Sequence, residues 1–193
     1  IFFVAGAKWK HISSLFGLGI AAVAILIMVA PYRAARLTVF LNPDHDPSGA
    51  GYQVSQALLA VGSGGFLGAG LGQSRQKFNY LPEPVTDSIF AVLSEEFGFI
   101  GTVILVALFV YLAYRGLRIA QSAPDDFGKF LVVGVIAWIT FQAFINISAI
   151  IGLIPLTGIP LPLISYGGTS LAVLLGAIGM VLNVSKQSHI QKL

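Results

Sequence analysis

Four apolar runs, at about residues 14–31, 87–114, 130–154 and 169–184, constrain this chain more than anything else in it. Crossing a bilayer as a helix takes roughly 20 apolar residues. Hydrocarbon offers no water to the backbone, so each amide in such a run must bond within its own segment, which leaves the helix as the conformation of choice. Composition agrees, with 56% of the 193 residues hydrophobic and 10% charged, against about 25% charged in an ordinary soluble domain. The predicted fold class is an all-α integral membrane protein: a polytopic helix bundle of four spanning helices, an N-terminal helix stub and a large loop over residues 32–86. The first residue is Ile1 rather than methionine, so a fragment is expected, and the apolar opening lacks the charged region and cleavage site by which a signal peptide is recognised.

The formal charge of +3 is too small and too dispersed for nucleic acid, and the absence of cysteine excludes disulfides and thiolate chemistry. His11, His45 and His189 lack metal-ligand spacing. Basic residues instead report topology. Alternating spans group Lys8, Lys10, Arg115, Arg118, Lys129, Lys186 and Lys192 on one face and Arg33, Arg36, Arg75 and Lys77 on the other. The more basic face is expected to be cytoplasmic, which puts the long loop and Asp87 outside.

The second run carries carboxylates into its first turns, where burial of charge is costly and function is the first suspicion. A helix beginning near Asp87 gathers Asp87, Ala91, Ser94, Gly98 and Gly101 on one small, polar face and sets Phe90, Leu93, Phe97, Ile100 and Ile104 on the far side. On that wheel Glu95 lies roughly 80° from Asp87 and about 12 Å deeper, and Glu96 roughly opposite, so Glu95 is the candidate to share a cavity with Asp87. Asp87 can also be a helix cap, accepting from Ile89 or Phe90. The two roles are compatible.

Between the first two runs, residues 52–61 show helical spacing ended by Gly62, predicting a short helix at the membrane surface. The stretch Gly62-Ser-Gly-Gly-Phe-Leu-Gly-Ala-Gly-Leu-Gly72 lacks the closing Gly-Lys-Ser/Thr of a nucleotide loop, which favours close backbone packing. Gln142 and Asn146, one turn apart in the third run, are expected to bond neighbouring helices. The charge-poor stretch Pro155-Leu-Thr-Gly-Ile-Pro-Leu-Pro-Leu-Ile-Ser-Tyr-Gly-Gly168 reads as a partly re-entrant loop lining a site.

Taken together, Gly51-Tyr-Gln, Gly68-Ala-Gly-Leu-Gly72, Gln76-Lys77, Leu81-Pro-Glu83, Thr86-Asp-Ser-Ile-Phe-Ala91, Glu95-Glu-Phe-Gly98 and Pro160-Leu-Pro-Leu-Ile-Ser-Tyr-Gly-Gly-Thr-Ser170 closely resemble the SEDS family (shape, elongation, division and sporulation) over nearly the whole chain. The resemblance is greater to its cell-division branch than to its elongation branch. It implies the C-terminal part of a peptidoglycan glycosyltransferase of about ten helices, in the bacterial cytoplasmic (inner) membrane, that polymerises lipid II at the outer face. The implied partners are a class B penicillin-binding protein and other division proteins, with membrane lipids around them. It also implies Asp87 as the catalytic residue. Val85 and Ser88 depart from the family's commoner histidine and phenylalanine.

The chemistry needs a base for an acceptor hydroxyl, which Asp87 can be, and positive charge for a departing diphosphate. Arg75 and Lys77 can hold that diphosphate or bind lipid headgroups. Glu83 and Glu95 can position substrate or a divalent cation, or serve structure, and Ser165 in the proline-rich loop is a further substrate-binding candidate. No cofactor is required by the sequence; a divalent cation (Mg or Mn) is an expectation from the resemblance. The alternatives are a flippase or transporter of lipid-linked precursor, and a non-catalytic scaffold of the division machinery.

Overall fold

The structure, a computed structural model, describes residues 3–29, 31–42, 46, 49–79 and 81–190, with side chains for these except 31–35, 50, 79 and 188–190. Ile1 and Phe2, Asp44, His45 and Lys192, and the side chains of Arg33 and His189, lie outside the described residues. Among the described residues every regular element is helical: α1 (Trp9–Val29), α2 (Pro31–Leu41), α3 (Ala50–Ser63), α4 (Gln76–Asn79), α5 (Ile89–Gln121), α6 (Asp126–Ile150) and α7 (Gly168–Ile190). Four of them, α1, α5, α6 and α7, are long and apolar enough to cross a membrane.

Boundaries differ from expectation for local reasons. Residues 3–6 are a turn rather than the end of a helix, because Gly6 takes a positive φ and its amide closes on the Phe3 carbonyl. Trp9 to His11 already belong to α1, and Pro31 opens α2, as suits a residue with no amide hydrogen to leave unpaired. Asp125 caps α6, its carboxylate accepting from the Gly128 amide at 3.0 Å, so α6 starts four residues before the predicted span. α7 runs on to Ile190, past the end of the fourth apolar run at about residue 184.

The core lies where α5 and α6 pack, with α3 on one flank and α7 on the other. On α7 the buried residues Leu174, Ala177, Val181 and Val184 recur at spacings of three and four, a single stripe facing the bundle. On α3 the fully buried Ala57 and Ala60 are small, which lets its backbone approach that of α5 near Ala91.

α5 is not one rod. Gly98 has φ 66° and ψ −165°, a conformation essentially reserved for glycine, and it divides α5 into limbs 89–97 and 99–121. The glycine-rich segment fills the break. In an unbroken helix the amides of Phe99 and Ile100 would bond to the carbonyls of Glu95 and Glu96. Here those carbonyls accept from Ala69 and Gly70 instead, at 2.9 and 3.1 Å, while Phe99 and Ile100 donate to Gly65 and Phe66, at 2.8 and 3.2 Å. The segment is thus spliced into the helix ladder and keeps it satisfied. Side chains cannot be accommodated at the junction: a Cβ on Gly64 would land on the Ser94 carbonyl, and one on Gly68 on the Glu96 carbonyl. Close packing, rather than a phosphate loop, is what these glycines provide.

The break also redirects the chain. Gly116 backs onto Ile136, and ten residues farther along α6 Asn146 reaches the Asp87 carbonyl. Ten residues of helix extend about 15 Å, whereas a straight α5 would hold Asp87 roughly 44 Å from Gly116. The limb before Gly98 therefore folds back toward α6. The small face predicted for a continuous helix holds as far as Gly98, through the buried Ala91 and Ser94. Gly101 lies beyond the break and faces Phe97 instead.

Candidate active site

Three segments meet at Asp87: the turn before α5, the far end of α6 and the loop 151–167. Asn146, 2% exposed, donates through Nδ2 to the Asp87 carbonyl and to the Ile159 carbonyl, both at 2.7 Å. One turn earlier, Gln142 Nε2 donates to the Pro160 carbonyl at 3.0 Å. The partners of these two amides are loop carbonyls, not the neighbouring helices expected from sequence, because an irregular backbone at this depth must find donors from side chains. Ser165 Oγ donates to the Thr86 carbonyl at 2.5 Å and accepts from the Leu161 amide at 2.7 Å, and the Tyr166 amide donates to Val85 at 2.8 Å. Ser165 thus joins the two loops as a clasp.

Asp87 does not cap α5. Ser88 holds the N-cap position, with no side-chain cap bond, and it is fully buried with Oγ accepting from Gln53 Nε2 at 3.3 Å. The Asp87 side chain is half-buried, and its Oδ1 faces Thr86 Oγ1 at 3.3 Å. The same hydroxyl stands 2.8 Å from Glu83 Oε2. A hydroxyl has one proton to give, and the shorter contact takes it. Asp87 is left with a carboxylate largely unspent on the protein. Glu83 itself adopts a positive φ of 50°, and its carbonyl accepts from the Thr86 and Ser88 amides to hold the turn.

Arg36, which sequence reasoning used only to count charge, is beside Asp87. Its Nη1 donates to the Leu156 carbonyl at 3.0 Å. A Cβ on Gly158 would sit 3.7 Å from Asp87 Oδ2 and 3.8 Å from Arg36 Nη1. No sequence signal joins Arg36 to residues 120 positions away; only the packing of α2 does so.

The remaining candidates gather elsewhere. Glu95, 4% exposed, does not share a cavity with Asp87: its oxygens accept from Ser74 Oγ at 2.6 Å, the Arg75 amide at 2.9 Å and the Gln76 amide at 3.3 Å. A buried carboxylate here gathers donors that the start of α4 would otherwise leave unpaired. Lys77 Nζ pairs with Glu96 Oε1 at 2.5 Å, a partner the helical wheel had set aside. Arg75 contributes its amide to this cluster, and its side chain is exposed.

Among the described residues no group of three or more His, Cys, Asp or Glu is placed to hold a metal ion. An apolar groove of about 840 Å³ runs beside the site, between the limbs of α5 and the flanks of α3 and α6, with Phe90, Val106, Tyr111 and Ile147 in its lining. Phe90 and Ile147 bring it within a turn of Asp87 and Asn146.

The comparisons with known proteins bear on this arrangement. A family model of the FtsW, RodA and SpoVE proteins, described as cell cycle proteins, matches residues 1–190. The chain belongs to the FtsW/RodA/SpoVE family. It is 54% identical over 187 residues to stage V sporulation protein E of Bacillus subtilis, covering 97% of this chain and 51% of that protein. To the probable peptidoglycan glycosyltransferase FtsW of Escherichia coli it is 43% identical over 193 residues, covering 98% and 47%. Among solved family structures, one described as showing structural coordination of polymerization and crosslinking by a peptidoglycan synthase complex matches with a TM-score of 0.74 and 30% identity, over 97% of this chain and 52% of that one. A variant of the Thermus thermophilus rod shape-determining protein RodA matches with a TM-score of 0.53 and 33% identity, over 68% and 40%. The FtsW/RodA/SpoVE chain described here spans about half the length of the curated relatives it matches. Its membership accords with the SEDS resemblance of the sequence.

Proposed function

We propose that this chain is the C-terminal, Asp87-bearing part of a peptidoglycan glycosyltransferase that polymerises lipid II at the outer face of the bacterial cytoplasmic membrane during cell division. The observation that carries the reading is the Asp87 carboxylate, free of capping and weakly bonded, held between two stitched loops, with an apolar groove that begins one turn away at Phe90. A lipid-linked sugar needs this combination, an apolar channel for its chain and a fixed polar centre for its head.

In the reaction, Asp87 accepts the proton of the acceptor sugar's hydroxyl as that oxygen bonds to the anomeric carbon of the donor. The anomeric C–O bond breaks, and its electron pair leaves with the lipid diphosphate. Asn146 and Ser165 act through the backbone: they fix the carbonyls of Asp87 and Thr86 and thereby the direction of the carboxylate. Glu83, across the Thr86 hydroxyl from Asp87, is the residue that would hold a divalent cation such as Mg or Mn, an ion that can bind through only one or two protein carboxylates. When bound, that ion would supply positive charge to the departing diphosphate.

A relative at 43% identity is named a probable peptidoglycan glycosyltransferase, and a structural neighbour is a peptidoglycan synthase complex that crosslinks as well as polymerises. The second supports a crosslinking class B penicillin-binding protein as partner. The deciding experiment supplies purified full-length protein with lipid II and scores glycan polymer separately from lipid II translocation across vesicles. Translocation without polymer would replace the polymerase with a flippase, and neither activity would leave a scaffold.

A further inference from the structure

We propose that Arg36 is the residue that grips the diphosphate of the lipid-linked substrate, in place of Arg75 and Lys77; this rests on the glycosyltransferase reading above. The cations named from sequence are committed or misplaced. Lys77 is paired with Glu96, and Arg75 extends its exposed side chain from the cluster organised by Glu95. Arg36 differs on both counts. It is half-buried, and of its five N–H donors the described structure engages one, at the Leu156 carbonyl.

The placement relative to Asp87 is specific. Both Arg36 Nη1 and Asp87 Oδ2 lie within 4 Å of one point beside Gly158, yet they form no ion pair with each other. Gly158 keeps that point empty, and its φ of +69° disfavours any larger residue there. An unpaired guanidinium and an unpaired carboxylate facing the same small space form a seat for a group that carries an anion on one side and a hydroxyl on the other. Guanidinium suits a diphosphate because its planar fork bonds two oxygens at once. With the diphosphate on Arg36, the bond that breaks lies next to the atom that receives the acceptor's proton, and the electron pair departs toward positive charge.

Direct binding separates this role from a structural one. Full-length protein in nanodiscs is titrated with undecaprenyl diphosphate and, as an uncharged control, undecaprenol, for wild type, Arg36→Gln and Arg36→Lys. Glutamine stays polar but carries no charge, and its amide stops two bonds short of Nη1, so the contact with the Leu156 carbonyl is lost along with the charge. Arg36→Gln is expected to weaken undecaprenyl diphosphate binding at least tenfold, to leave undecaprenol binding unchanged and to lower the melting temperature only slightly; Arg36→Lys should recover part of the loss. Undiminished diphosphate binding by folded Arg36→Gln would overturn the assignment and reduce Arg36 to a strut for Leu156. If Arg36→Gln does not fold, Arg36→Lys decides, since wild-type affinity in it is incompatible with a two-oxygen grip. Failure of the wild type to polymerise lipid II counts against the proposed function, whereas the binding comparison judges Arg36 by itself.

Discussion

The side-chain amide of Asn146 donates to the backbone carbonyl of Asp87 at 2.7 Å, 59 residues away in sequence, and spends its second hydrogen on the Ile159 carbonyl. One buried residue of α6 therefore fixes the entry to α5 against the loop 151–167. Its Nδ2 is identified by its partners, since both are carbonyls and only an NH₂ can serve them.

Asn146→Ala should accordingly cost stability and rate together. Two buried carbonyls would lose their donor, at on the order of 1–3 kcal/mol each. Asn146→Asp should be worse than alanine despite its shape, because a carboxylate faces two acceptors. Thermal unfolding of the two variants in detergent checks this ordering, and equal melting temperatures would contradict the hydrogen bonds.

Asp87→Asn should leave folding intact and abolish turnover. The carboxylate caps nothing, so its loss removes little structure, whereas loss of a general base lowers a rate roughly 10²- to 10⁴-fold. Polymerisation of lipid II by full-length wild type and variant, with melting temperatures alongside, makes the comparison. Near wild-type turnover would shift the search for the base to Glu83.

For Lys77 the ion pair with Glu96 predicts a structural phenotype. Lys77→Glu sets two carboxylates against each other at a position where Glu96 is 9% exposed, and should destabilise by about 2 kcal/mol or more. Lys77→Glu combined with Glu96→Lys should restore most of the melting temperature. Were the exchange to rescue nothing, a direct role for Lys77 with substrate would return.

At Gly98 a single methyl should be enough to undo the fold of α5. Alanine there meets a glycine-only backbone conformation, costing about 1–3 kcal/mol, and its Cβ would collide with the Gly68 amide. Gly98→Ala should lower the melting temperature, and hydrogen exchange at the amides of Phe99, Ile100, Ala69 and Gly70 should quicken as the splice is lost. Unaltered protection at those four amides would show that the break does not depend on glycine.

The sequence by itself determined the class of the fold, because an apolar run of spanning length in a chain with 10% charged residues has one conformation that satisfies its backbone in hydrocarbon. It also determined that a short helix covers residues 52–61 and that Asp87 sits at a loop-to-helix boundary, since both depend on neighbours a few residues away, although α3 passes through the Gly62 expected to end it and stops at Ser63. That the glycine-rich segment packs closely was legible in its composition; that it packs on the Glu95 and Glu96 carbonyls was not. Only the tertiary structure decided which charges act together. Helical periodicity assumes a straight axis, so it could not foresee the break at Gly98, which turns Asp87 back toward Asn146 and leaves Glu95 to the loop at Ser74. Nor does any local rule bring Arg36 to Gly158 and Asp87. That meeting depends on α2 packing against a loop 120 residues later, and long-range contacts of this kind leave no period in the chain.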